Sequence, residues 1–140
     1  FDYAFREYIR RWAYKHPTPW DFFRTMENAV GENLGWYWRG WFLENYKLDQ
    51  AITAVTFDKQ LPANGAVVTL TNFEQMAMPV LLSYETISGK KGSVKLPAEI
   101  WNNTSVFKTR LSVIEPLRSV TIDANKEFPD INRTNNTWKE

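Results

Sequence analysis

The spacing of apolar residues changes once along this chain, near Gln50, and that change limits what it can fold into. Before it, Phe1, Ala4, Phe5, Tyr8, Ile9 and Trp12 recur at helical intervals, and Leu34, Tyr37, Trp38, Trp41 and Phe42 do so again. After it, short alternating segments recur about every ten residues, the pattern of half-buried strands. The chain therefore predicts an α+β fold. A short N-terminal bundle of three helices occupies residues 1–50, and an antiparallel immunoglobulin-like β-sandwich occupies residues 51–140.

The first helix is at full amphipathic amplitude from Phe1, with no cap or leader before it, which predicts that the chain is the C-terminal part of a larger protein. It ends near Tyr14, because His16-Pro17-Thr18-Pro19 cannot continue it. Asp2/Arg6 and Glu7/Arg11 are spaced to pair on its outer face. The second helix has Thr18 as N-cap, Pro19 at its first position, Asp21 as the capping-box acid and Gly31 as its left-handed terminator. The third uses Asn33 as N-cap and buries its stripe from Leu34 to Phe42, with Trp38 and Trp41 as core anchors. Trp36 falls off that stripe, facing solvent or a neighbouring domain.

Strands are expected over Ala51–Phe57, Ala66–Phe73, Pro79–Ile87, Ser93–Leu96, Val106–Val113 and Leu117–Asp123. Pro62-Ala-Asn-Gly65 marks a turn, and Ser88-Gly-Lys-Lys-Gly92 a hairpin connection. The tail from Phe128 to Trp138 is polar apart from Phe128, Ile131 and Trp138. Trp101 and Trp138 read as residues that cover the ends or edges of the sandwich.

Chemistry is sparse. The chain has no cysteine and a single histidine, His16, so disulfides, thiolate metal sites and a cysteine nucleophile are excluded. His16 lies beside Pro17 at a helix end, and Asp21, Glu27 and Glu32 are spread around the second helix and its end, with no spacing that faces two carboxylates. Net charge is +1 and evenly distributed, which argues against a nucleic-acid partner. No apolar run is long enough to span a membrane. Four Asn-x-Ser/Thr matches, at Asn102, Asn103, Asn132 and Asn135, carry little information by themselves. No catalytic, cofactor-binding or metal-binding residue is assigned.

Several stretches nevertheless carry a resemblance: Phe5-Arg-Glu-Tyr-Ile-Arg-Arg-Trp12, His16-Pro-Thr-Pro-Trp-Asp-Phe-Phe-Arg24, Met26-Glu-Asn-Ala-Val-Gly-Glu-Asn-Leu34 and Trp36-Tyr-Trp-Arg-Gly-Trp-Phe42. In the second half they are Asn72…Met76-Ala-Met-Pro79-Val80, Lys95-Leu-Pro97…Trp101 and Pro129-Asp-Ile-Asn-Arg133…Asn136…Trp138. Together they resemble the C-terminal region of aminopeptidase N-like (gluzincin) zinc metallopeptidases of the secreted Bacteroidetes type. There, helices close a thermolysin-like catalytic domain and a β-sandwich follows. Asn33 stands where that family usually has Asp.

The resemblance implies a zinc-dependent parent that removes N-terminal residues from peptides, its metal polarising the carbonyl and activating water with a glutamate as base. The metal ligands, the catalytic tyrosine and the Gly-x-Met-Glu-Asn motif lie upstream in that family, so no such position carries over. Met26-Glu27-Asn28 matches the end of that motif only by chance, since Arg24-Thr25 replaces Gly-x and the tripeptide falls in a helix. Residues 1–50 are then the helical end of the catalytic domain and 51–140 its sandwich. The resemblance implies no cofactor in this chain, zinc in the parent, its own upstream catalytic domain as partner, and a location in the periplasm or outside the cell. The alternative is a stand-alone module binding glycan or protein, which would expose coplanar aromatic rings on one concave face.

Overall fold

Two prolines divide the first helices as their missing N–H groups require. In the computed structural model, which describes residues 1–57 and 60–140, α1 runs Asp2–Trp12 and α2 runs Pro19–Val30. The α2 start is a full capping box. The Asp21 backbone N–H donates to Thr18 Oγ1 at 3.4 Å, and the Thr18 N–H donates to Asp21 Oδ2 at 2.9 Å. Gly31 closes the helix in the left-handed conformation, φ 74°. On α1 the ion pairing differs from the spacing expectation. Glu7 takes Arg10 at 2.7 Å and Arg11 at 3.7 Å, while Asp2 and Arg6 form no ion pair.

The third helix departs further. Its α-helical part, α3, is one turn, Gly35–Trp38, with Leu34 rather than Asn33 at the N-cap position. Asn33 still accepts the Gly35 N–H at 2.8 Å. A π-helical turn, Arg39–Leu43, follows and closes with the Glu44 N–H donating to the Arg39 carbonyl at 2.9 Å. Each π turn takes up one residue more than an α turn, so the stripe extrapolated from Leu34 loses its register. Trp38 is buried, whereas Trp41 is 41% and Phe42 57% exposed. Trp41 is therefore not a core anchor.

The chain divides into two compact units, Phe1–Glu44 and Asn45–Glu140. Among the described residues the second contains seven strands: β1 Gln50–Phe57, β2 Ala66–Asn72, β3 Val80–Thr86, β4 Lys91–Leu96, β5 Val106–Leu111, β6 Leu117–Ile122 and β7 Thr137–Lys139. They form two antiparallel sheets, one ordered β1-β2-β5 and the other β4-β3-β6-β7. Alternation decides the faces. Ala66, Val68 and Leu70 of β2 share one core with Val80, Leu82, Leu117, Val120 and Ile122 of the other sheet. Trp101, on a 3₁₀ turn at Ala98–Trp101, joins that core and donates its indole N–H to the Met78 carbonyl at 2.9 Å. Pro62–Asn64 is likewise a 3₁₀ turn.

The polar tail is an ordered part of this unit and supplies β7, which its composition did not announce. Asp130 accepts the Gln50 N–H at 2.9 Å, Asn135 donates to Asp49 at 2.7 Å, and the Ile52 N–H donates to the Asn135 carbonyl at 3.0 Å. These bonds give the tail's carboxylates and amides a structural use. They also separate the four glycosylation-motif matches: Asn102 and Asn103 are exposed, while Asn132 and Asn135 are half-buried in this network.

Candidate functional site

The helical unit is built around rings. Phe23 stacks on Trp38 with centroids 4.7 Å apart, and Phe22 meets Trp38 edge-on at 5.7 Å. Two polar bonds fix the helices around this stack. The Trp12 indole N–H donates to Thr25 Oγ1 at 3.0 Å, linking α1 to α2, and the Thr25 hydroxyl donates to the Asp21 carbonyl at 2.6 Å. Glu27 Oε1 accepts both the Leu34 N–H at 3.0 Å and the Trp38 indole N–H at 3.1 Å, fastening α2 to α3. Glu27 thus serves the fold, and Met26 beside it is buried in the core.

That scaffold leaves an apolar groove of about 320 Å³ whose walls include Phe22, Met26, Val30, Leu34, Trp36 and Phe42. Trp36 is half-buried in its wall, against Tyr37 at 5.7 Å. Phe1 also lines the groove and is 79% exposed. On α1 only Ala4 of the apolar face is fully buried. Tyr8 and Trp12 are half-buried, and Phe1, Phe5 and Ile9 are exposed in one i, i+4 line. The groove and that line make a large uncovered apolar surface on a unit of this size, the usual mark of a contact surface.

The titratable groups nearby are occupied by structure. The Arg10 hydrogen bond holds the Glu7 carboxyl below its usual range, with Arg11 adding to the effect. The Thr18 hydroxyl and N–H do the same for Asp21. His16 is exposed at the end of the α1–α2 connection. Asp21, Glu27 and Glu32 do not converge, and among the described residues no three His, Asp or Glu side chains come together as a metal site. In the β unit Trp101 is buried and Trp138 packs against the core, so these tryptophans form no exposed ring platform. No helix among the described residues is long and apolar enough to cross a membrane.

No family model, no curated protein and no solved structure matches the chain.

Proposed function

We propose that this chain is the non-catalytic scaffold end of an aminopeptidase N-like zinc metallopeptidase. In that reading the helical unit completes the catalytic domain, and the β unit is an immunoglobulin-like sandwich that follows it in the chain. The zinc-dependent removal of N-terminal residues from peptides belongs to the portion that carries the metal ligands. The observation that carries the proposal is the exposed apolar surface formed by Phe1, Phe5 and Ile9 with the groove beside Phe42. Leaving so many large apolar side chains in water is costly unless another surface covers them, and further helices of the same domain would do so.

The strand order supports the sandwich part. With strands lettered in chain order, β1-β2-β5 corresponds to A-B-E and β4-β3-β6-β7 to D-C-F-G. This order supports an immunoglobulin-like reading in which the fourth strand lies in the opposite sheet and the disulfide of antibody domains is missing.

Two measurements test the proposal. The isolated chain is expected not to hydrolyse aminoacyl-anilides; turnover that a chelator abolishes would refute the scaffold role. The gene upstream of the Phe1 codon is expected to encode His-Glu-x-x-His with a glutamate some turns later. An upstream region without these ligands would refute the peptidase reading.

A further inference from the structure

The outer face of the four-stranded sheet carries a row of hydroxyls that no single stretch of sequence reveals. Ser93 on β4 pairs with Ser83 on β3, Ser83 with Thr121 on β6, and Thr121 with Thr137 on β7. Four hydroxyls therefore lie side by side across four strands. The next row is Lys91, Glu85, Ser119 and Lys139, and Lys95 stands on the other side of the hydroxyl row, opposite Leu81. A shallow hollow of about 480 Å³ lies over this floor, lined by Ser83, Glu85, Lys91, Ser93, Ser119 and Thr121.

Charge on this face is one-sided. In the Lys91 row the Glu85 carboxylate is matched by Arg118 at 3.2 Å and Lys91 at 3.7 Å. Lys95 and Lys139 add two further exposed cations. Lysines on the two edge strands, β4 and β7, discourage strand pairing, but that does not account for a hydroxyl row running across the sheet.

We propose that this face binds an extended acidic glycan lying across the strands. Neighbouring strands are about 4.8 Å apart, close to the advance of one sugar ring in an extended chain. Successive rings can therefore meet successive hydroxyls, all able to accept; Thr137 already donates to Thr121 at 3.3 Å, which leaves the other three able to donate outward. Lys91, Lys95 and Lys139 flank the row where the carboxylates or sulfates of such a chain would fall, and their field favours its approach. This site is independent of the peptidase reading.

The test uses the whole chain with polygalacturonate as probe, neutral dextran as control and poly-glutamate as competitor, followed by calorimetry. Binding to polygalacturonate that weakens at least tenfold in Lys91→Glu/Lys95→Glu/Lys139→Glu, and several-fold in Ser83→Ala/Thr121→Val, supports the site. The second variant keeps every charge, and unchanged circular dichroism certifies both folds. No binding to polygalacturonate, binding unaffected by these substitutions, or equal affinity for poly-glutamate overturns it; the last would make the face a general polyanion or acidic-peptide surface.

Discussion

Arg133 places its guanidinium 3.1 Å from Asp123 Oδ2, against a carboxylate that is 1% exposed. The same carboxylate accepts the N–H groups of Glu127 at 2.8 Å and Phe128 at 2.9 Å, and Arg133 also donates to the Phe128 carbonyl. One buried acid thus organises the turn between β6 and β7. Replacing Asp123 with Ala strands a guanidinium and two backbone donors at once. The expected loss is about 3–5 kcal/mol, the range for breaking a buried pair. Urea unfolding of the variant checks it, and a loss below about 1 kcal/mol would show that the turn is held by other bonds.

Gly92 lies under the Tyr84 ring, its directly paired neighbour on β3, and a Cβ there would come within 2.3 Å of the ring's outer carbon and hydroxyl. Gly92→Ala is expected to destabilise by about 1–3 kcal/mol through overpacking. Tyr84→Ala should remove that penalty, so the double variant should be more stable than the sum of the single losses implies. Additive losses would show that the ring is not the obstacle.

The α2 cap joins a neutral and an ionised partner, which can be separated. Thr18→Ala is expected to cost about 1 kcal/mol at neutral pH. Asp21 has a carboxyl held below its ordinary range by the Thr18 hydroxyl and then the Thr18 N–H. A depressed folded value means that its contribution is complete above the unfolded carboxylate range and is lost as pH falls through the folded one. Thermal melts between about pH 5 and pH 2 should therefore fall less steeply for Asp21→Asn than for the parent chain. Parallel curves would show that the cap bond does not depend on the charge.

Trp38 and Ile9 separate core from contact surface. Trp38 is 6% exposed and surrounded by Phe22, Phe23 and Phe42, so Trp38→Ala should cost about 3–5 kcal/mol. Ile9 is 49% exposed, and Ile9→Glu should change the stability of the isolated chain by no more than about 0.5 kcal/mol. Under the proposed function, Ile9→Glu should nevertheless weaken association with the upstream catalytic segment supplied in trans. Wild-type association by the Ile9 variant would remove α1 from the covered surface.

Much of this was legible from local pattern. The α2 boundaries follow from Thr18, Pro19, Asp21 and Gly31, each acting within a turn of its own position. Most strands follow from alternation, which marks a strand without naming its partner. Extrapolation failed where a local rule met a packing choice. The π-helical turn at Arg39–Leu43 broke a stripe that ran unbroken in the residues, and it left Trp41 and Phe42 exposed. Within α1, periodicity showed which residues share a face but not that Phe5 and Ile9 would stay uncovered while Ala4 packed.

The residues alone determined the change from helical to strand period near Gln50, the capped second helix and the absence of thiol chemistry, because these depend on neighbours along the chain. Only tertiary structure decided the rest. It set Ser93, Ser83, Thr121 and Thr137 in one row, gave Glu27 two donors from α3 and its N-cap, and drew Asp123 and Arg133 together around the β6–β7 turn. Strand register and side-chain pairing are set by how faces fit when buried, and the spacing of residues along a chain does not encode that fit one segment at a time.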